Sequence, residues 1–134
     1  MAWFTSLSSG LRLAVAIGGV FGASMRLGLL ELAGYSGIGL LIAIGVANVV
    51  GSAGLGATVA ATRRWNWPPT VRTTLVVGVC GGLTTFSTVS LEVARALRDT
   101  AGPVTATYAI GYLVASVMVC MAALWAGRAV VTAA

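Results

Sequence analysis

Thr84, Thr85, Ser87 and Thr88 place four hydroxyls in five residues, directly after the glycine pair Gly81-Gly82. They belong to the run Gly78-Val79-Cys80-Gly81-Gly82-Leu83-Thr84-Thr85-Phe86-Ser87-Thr88, which lies inside a stretch free of charge from 73 to 91. Hydroxyls and free backbone groups in such a stretch can replace the water around a small solute. A segment that only anchors a chain would avoid them, because lipid offers no hydrogen-bond partner. A helical hydroxyl can also bond back to its own turn, so one or two of the four could be silent. Glycine pairs take backbone conformations that open a helix and free its carbonyls. The run therefore predicts a helix broken near its middle that lines a path.

Asn48 is the second polar group expected at depth. It stands in Gly45-Val46-Ala47-Asn48-Val49-Val50-Gly51-Ser52, with Gly45, Gly51 and Ser52 at spacings that share its face. Two readings stay open for it: an interhelical hydrogen bond worth about 0.6 to 2 kcal/mol, or a donor to whatever passes. Phe86 is equally double. A phenylalanine in a span ordinarily packs or meets lipid, but its ring edge is electropositive. Neutral donors, an aromatic edge and no fixed negative charge suit an anion path.

The elements that must position these groups follow from composition. Of 134 residues 58% are hydrophobic and 8% charged, and the mean hydropathy is +0.99, which leaves too little polar surface for a soluble domain. Uncharged runs at 13–25, 32–62, 73–91 and 100–127 each supply a span of about 20 residues, the first by continuing past Arg26 to Leu30. The expectation is an all-α membrane protein: one domain, 1–134, of four transmembrane helices at about 11–33, 38–62, 72–98 and 104–128, with both termini on one side. The first segment could instead pass for a signal peptide, with Leu13–Ala23 as its apolar region. Against that, Ala14, Gly18, Gly22 and Arg26 recur every fourth residue and form a stripe that lets another helix approach. Turn residues separate the helices at Gly34-Tyr35-Ser36-Gly37, at Arg63-Arg64-Trp65-Asn66-Trp67-Pro68-Pro69 and at Asp99-Thr100-Ala101-Gly102-Pro103. Trp3, Trp65, Trp67 and Trp125 fall where interfacial anchors belong.

Charge and absent residue types exclude several functions. All eight basic residues are arginine and the net charge is +5, which in a membrane chain reflects loop arginines rather than nucleic-acid binding. Arg12, Arg63, Arg64, Arg72 and Arg128 fall with the termini and Arg26, Arg95 and Arg98 opposite, a weak bias toward cytoplasmic termini that leaves insertion both ways open. There is no histidine for a nucleophilic triad or a zinc site. Cys80 and Cys120 lie in apolar runs as packing residues. Glu31, Glu92 and Asp99 sit near helix ends, so no proton relay and no acid–base pair is expected, and no enzyme.

Three motifs carry a resemblance over essentially the whole chain: Gly18-Gly19-Val20-Phe21-Gly22-Ala23-Ser24-Met25-Arg26, the glycine-rich segment around Asn48, and Gly78–Thr88 with its Thr84-Thr85-Phe86-Ser87-Thr88 core. In order and spacing they resemble the small bacterial fluoride channels, the Fluc or CrcB family. The resemblance implies a passive, fluoride-specific channel of the inner membrane that exports the ion and so confers fluoride resistance. It implies an antiparallel, dual-topology dimer with two pores, and a structural sodium ion at its centre held by the backbone carbonyls of Gly81 and Thr84 from each subunit. It makes Asn48 an amide donor to fluoride, Phe86 a pore-lining ring, and Ser87 and Thr88 hydroxyls near the path, with Thr85 beside the break. It places Arg26 at the vestibule, Tyr112, Ser116 and Cys120 on a pore-side stripe of the fourth helix, and Glu92 after the third-helix motif. Two positions depart from the family pattern: Val89 stands where a second phenylalanine is usual, and Cys120 where a serine is. Either a homodimer tolerates valine, or the chain pairs with a different subunit.

The mechanism so implied rests on hydration. Fluoride is small and strongly hydrated, so it passes only where protein donors replace much of its water, at a spacing that suits larger halides poorly. Two other readings compete. A dual-topology multidrug exporter also uses four helices in this length, but needs a carboxylate in the middle of the first helix, whereas Glu31 is at its end. A non-conducting structural subunit would use the glycines for packing alone.

Overall fold

The computed structural model describes residues 8–35, 37–99 and 102–133. Trp3, Ser36, Thr100 and Ala101, which figure in the anchors and turns above, lie outside the described residues. Helix α1 is Ser9–Ala33 and α2 is Gly37–Trp65. The third span opens with α3 (Pro69–Thr73), continues through a π-helical segment, Thr74–Cys80, and α4 (Gly81–Leu83), and resumes as α5 (Ser87–Asp99). Helix α6 is Pro103–Ala133. No strand occurs among the described residues. Among the described residues four stretches, Ser9–Ala33, Gly39–Trp65, Pro69–Asp99 and Ala106–Ala133, are long and apolar enough to cross a membrane. The protein is a multi-pass, all-helical membrane protein.

Local chemistry sets the ends of these helices. Ser8 caps α1, its hydroxyl accepting from the Leu11 N–H at 3.3 Å. Gly34, at φ +95°, closes it by donating to the Leu30 carbonyl at 2.8 Å. Pro69 and Pro103 each open a helix, where a missing N–H costs nothing. Helix α2 runs through Arg63 and Arg64 to Trp65, so these residues are not part of the connection. Two positive charges in a last turn complement the helix dipole. The chain then turns at Asn66, which takes a φ of 49° that asparagine tolerates better than most residues. Just outside α1, the Tyr35 hydroxyl donates to Glu31, and that bond to a carboxylate holds the phenol pKa above its usual value.

Packing is organised by backbone contact at glycine. The α1 stripe meets the third span at Gly18 and Gly22, both buried. A Cβ on Gly18 would stand 2.8 Å from the Thr74 carbonyl oxygen, and one on Gly78 2.8 Å from that of Val15. Helices α2 and α6 cross as closely: a Cβ on Gly56 would overlap the Leu124 carbonyl, and one on Gly127 that of Ala53. These contacts replace the hydrophobic drive that is missing between helices in lipid. The small apolar core gathers Leu40 and Ile44 of α2 with Val89 of α5, flanked by Leu30, Tyr112 and Leu113.

The two ends of the bundle differ in charge. Around Arg95 and Arg98 the cations are matched, Arg95 to Glu92 at 2.6 Å and Arg98 to Asp99 at 3.0 Å. The end holding Arg12, Arg63, Arg64, Arg72 and Arg128 carries no aspartate or glutamate in its sequence segments.

Candidate functional site

The site is built where the third span loses its helical ladder. Thr84 has an extended backbone, φ −79° and ψ 150°, and helix resumes only at Ser87. An extended residue inside a span exposes peptide groups that must be satisfied by something other than the helix. Asn48 of α2 does this for Thr85 from both sides: its Nδ2 donates to the Thr85 carbonyl at 2.9 Å, and its Oδ1 accepts the Thr85 N–H at 2.7 Å. The donor and acceptor on the peptide fix which way the amide faces. One of the two Nδ2 hydrogens is left over.

The neighbouring carbonyls are affected in turn. In an unbroken helix the Thr85 N–H would close a turn on Gly81, but Asn48 holds it instead. The Thr84 carbonyl accepts from the Arg26 Nη1 at 3.2 Å. Arg26 therefore reaches the level of the interruption, half-buried, with a carbonyl rather than a carboxylate as its partner. A carbonyl oxygen has two lone pairs, so one on Thr84 stays open.

The hydroxyls divide into two groups. Thr84 Oγ1 donates to its own Cys80 carbonyl at 3.0 Å and Ser116 Oγ to Leu113 at 2.8 Å, so neither proton is available to a solute in this arrangement. Thr85 Oγ1 instead lies 3.1 Å from Ser87 Oγ and 3.3 Å from Thr88 Oγ1. Three hydroxyl protons serve these two contacts, and one O–H remains free to donate.

Two adjoining cavities of about 330 and 470 Å³ meet at Asn48, Val89, Ser116 and Cys120. The first is lined as well by Gly51, Ser52, Thr84, Thr85 and Phe86, the second by Gly45 and Tyr112. No charged side chain lines either one. Phe86 is 62% exposed, its ring presented along the first cavity rather than packed. Val89 is 1% exposed, held against Leu40 and Ile44, and contributes only its methyl surface.

Of the residues singled out in the sequence, Asn48, Thr84, Phe86, Tyr112, Ser116 and Cys120 thus come together along one groove between α2, the third span and α6. Ser87 and Thr88 line neither cavity but are joined to the groove through the Thr85 hydroxyl. Arg26, exposed Gly81 and Glu92 lie off it, Glu92 paired with Arg95. Gly45, Gly51 and Ser52 line the groove on the face they share with Asn48, whereas the backbone of Thr85 and the walls supplied by Leu55, Val117 and Met121 have no signal in the sequence. Thr85 and Asn48 are 37 residues apart, and no periodicity connects them.

Comparison with known proteins identifies the family. Residues 13–128 match the model of the family described as CrcB-like protein, Camphor Resistance (CrcB). The chain is 40% identical over 136 residues to a fluoride-specific ion channel FluC of Rhodospirillum centenum, covering 91% of this chain and 95% of that one. It is 39% identical over 105 residues to the FluC of Deinococcus radiodurans, with 77% and 83% covered. With FluC 1 of Nitrobacter hamburgensis the identity is 47% over 68 residues, about half of each chain. A match that runs from α1 into the last turns of α6, at these identities, means that the chain belongs to the CrcB-like family.

Proposed function

We propose that this chain is a passive, fluoride-selective ion channel that releases fluoride from the cytoplasm across the cell membrane, with the groove at Asn48 as its conduction path. Asn48 is the observation that carries the proposal. Its amide is locked by the Thr85 peptide and keeps one N–H directed by that lock. A donor held by two hydrogen bonds is preorganised, so an anion that leaves water meets it without reorganisation cost. The free O–H of the Thr85, Ser87 and Thr88 group and the exposed edge of Phe86 supply further positive poles. None bears a full charge, so an ion is solvated but not trapped. The names of the aligned relatives, fluoride-specific ion channels, support the choice of anion.

The working unit we propose is an antiparallel pair with two pores, formed across the interruption of the third span at mid-membrane depth. In one chain the Phe86 face of the groove is open, and a second chain would close it. Two copies of this chain suffice for that. A non-identical partner is the alternative suggested by Val89, which offers no ring edge.

A structural sodium ion between the subunits is part of the same proposal. The fit is chemical: the carbonyls of Gly81 and Thr84 are neutral, hard oxygens set free by the extended backbone. Bound there, sodium would supply a cross-link between the two interruptions. Arg26 uses one lone pair of Thr84 and holds that carbonyl in place.

Flux from proteoliposomes tests the function. Purified chain should pass fluoride down its gradient with little chloride and no coupled proton movement. Proton-driven drug uptake, or an intact dimer that passes no fluoride, would overturn it.

A further inference from the structure

A second built feature lies outside the groove. Where the ends of α2 and α6 meet, Arg63, Arg64 and Arg128 surround a cavity of about 270 Å³ together with Ala60 and Thr132. Two of these side chains are held in place: Arg64 Nη1 donates to the Val131 carbonyl at 3.2 Å, and the Arg128 guanidinium lies 5.9 Å from the centre of the Trp125 ring. None of the three forms an ion pair among the described residues. The acidic side chains are elsewhere, Glu92 and Asp99 paired with Arg95 and Arg98, and Glu31 bonded to Tyr35. This clustering of like charge around one concavity, with no aspartate or glutamate paired to it among the described residues, favours an anion from outside.

The level of the cavity says which anion. Trp65 and Trp67 stack with ring centres 5.9 Å apart directly after Arg63 and Arg64, and Trp125 lies one turn before Arg128. Indoles of this kind sit at the headgroup level of a bilayer. The guanidinium fork matches phosphate oxygens, and it does so better than an ammonium.

We infer that the cavity of Arg63, Arg64 and Arg128 binds the phosphate of an anionic membrane lipid. The lipid bridges the ends of α2 and α6, with its phosphate among the guanidinia and its acyl chains in the bilayer. This site is separate from the groove and does not depend on the fluoride reading.

Native mass spectrometry and thermal unfolding of the full-length protein in neutral detergent test it, with phosphatidylglycerol, phosphatidylcholine and inorganic phosphate as the added probes. Phosphatidylglycerol should remain bound and raise the Tm, whereas phosphatidylcholine and inorganic phosphate should do neither. Each arginine near a membrane surface is worth about a fivefold factor in anionic-lipid affinity, so Arg63→Gln with Arg128→Gln should weaken binding about 30-fold. The control pair Arg95→Gln with Arg98→Gln, at the opposite end, should leave it unchanged. Equal retention of the two lipids by the wild-type protein overturns the inference without recourse to a variant. Protection by inorganic phosphate equal to that by phosphatidylglycerol overturns the lipid as occupant, and undiminished binding to the Arg63/Arg128 variant overturns the site.

Discussion

Asn48 and Thr85 hold each other by two hydrogen bonds, Nδ2 to the Thr85 carbonyl at 2.9 Å and the Thr85 N–H to Oδ1 at 2.7 Å. The two readings of Asn48, a structural bond and a donor to the ion, are therefore compatible. An asparagine locked on a peptide is both a support for the interrupted span and a donor of fixed direction.

Replacement of Asn48 should separate these roles. Asn48→Ala leaves a half-buried N–H and C=O without partners, at a cost of about 1–3 kcal/mol for each. Asn48→Asp keeps the acceptor but loses the donor and adds negative charge. Both variants should cut fluoride efflux from liposomes by at least about a hundredfold, a barrier increase of roughly 2.7 kcal/mol. Efflux within a factor of two of wild type for Asn48→Asp would remove Asn48 from the path.

The hydroxyls should differ according to where their protons go. Thr84→Val removes a group that only bonds back to Cys80, so efflux should stay within about twofold. Thr85→Val removes the common partner of Ser87 and Thr88 and should lower efflux about tenfold, or roughly 1.4 kcal/mol. The reverse ranking would show that the hydroxyl pairing does not describe the conducting state.

Arg26 acts through Thr84. Arg26→Gln shortens the side chain and removes its charge, and hydrogen bonds to charged groups are worth about 1.5–3 kcal/mol. We expect the variant to unfold at correspondingly lower denaturant concentration in detergent, with Arg26→Lys recovering part of the loss. Full stability of Arg26→Gln would show that the Thr84 carbonyl does not rely on this contact.

Close helix crossings predict where size is forbidden. Gly22→Val and Gly56→Val place side chains against the carbonyls of Val79 and Leu124, and overpacking of this kind costs about 1–3 kcal/mol or more. Gly28→Ala, which meets no atom within 4 Å, should leave the size-exclusion profile and thermal stability unchanged. Equal tolerance of all three would contradict the packing of α1 and α6 described above.

Val89 offers a test of shape. Its side chain is 1% exposed against Leu40 and Ile44, so a ring there must displace them. Val89→Phe should destabilise the fold by about 1–3 kcal/mol, as read from detergent denaturation. Unchanged stability accompanied by faster efflux would mean that the adjoining cavities accept the ring.

Much of this protein is legible in one dimension. Four spans follow from the spacing of arginines and carboxylates, because a bilayer tolerates few charges over about 20 residues. The α1 stripe at Gly18 and Gly22 is legible too, since a helix repeats its face every three to four residues. The family resemblance, carried by the Arg26, Asn48 and Thr84–Thr88 motifs, agrees with the match over residues 13–128. Other features were decided only when the helices packed. Whether a threonine hydroxyl turns back on its own carbonyl, as at Thr84, or toward a neighbour, as at Thr85, depends on the local backbone, and an interrupted helix has no fixed phase from which to count faces. Arg26 and Thr84 are 58 residues apart and Asn48 and Thr85 are 37 apart, and such partners are chosen by proximity in space. Composition and periodicity determine what must be buried in lipid, since that is a property of each segment. Which donor remains free to meet an ion is a property of pairs, and it exists only in the tertiary structure.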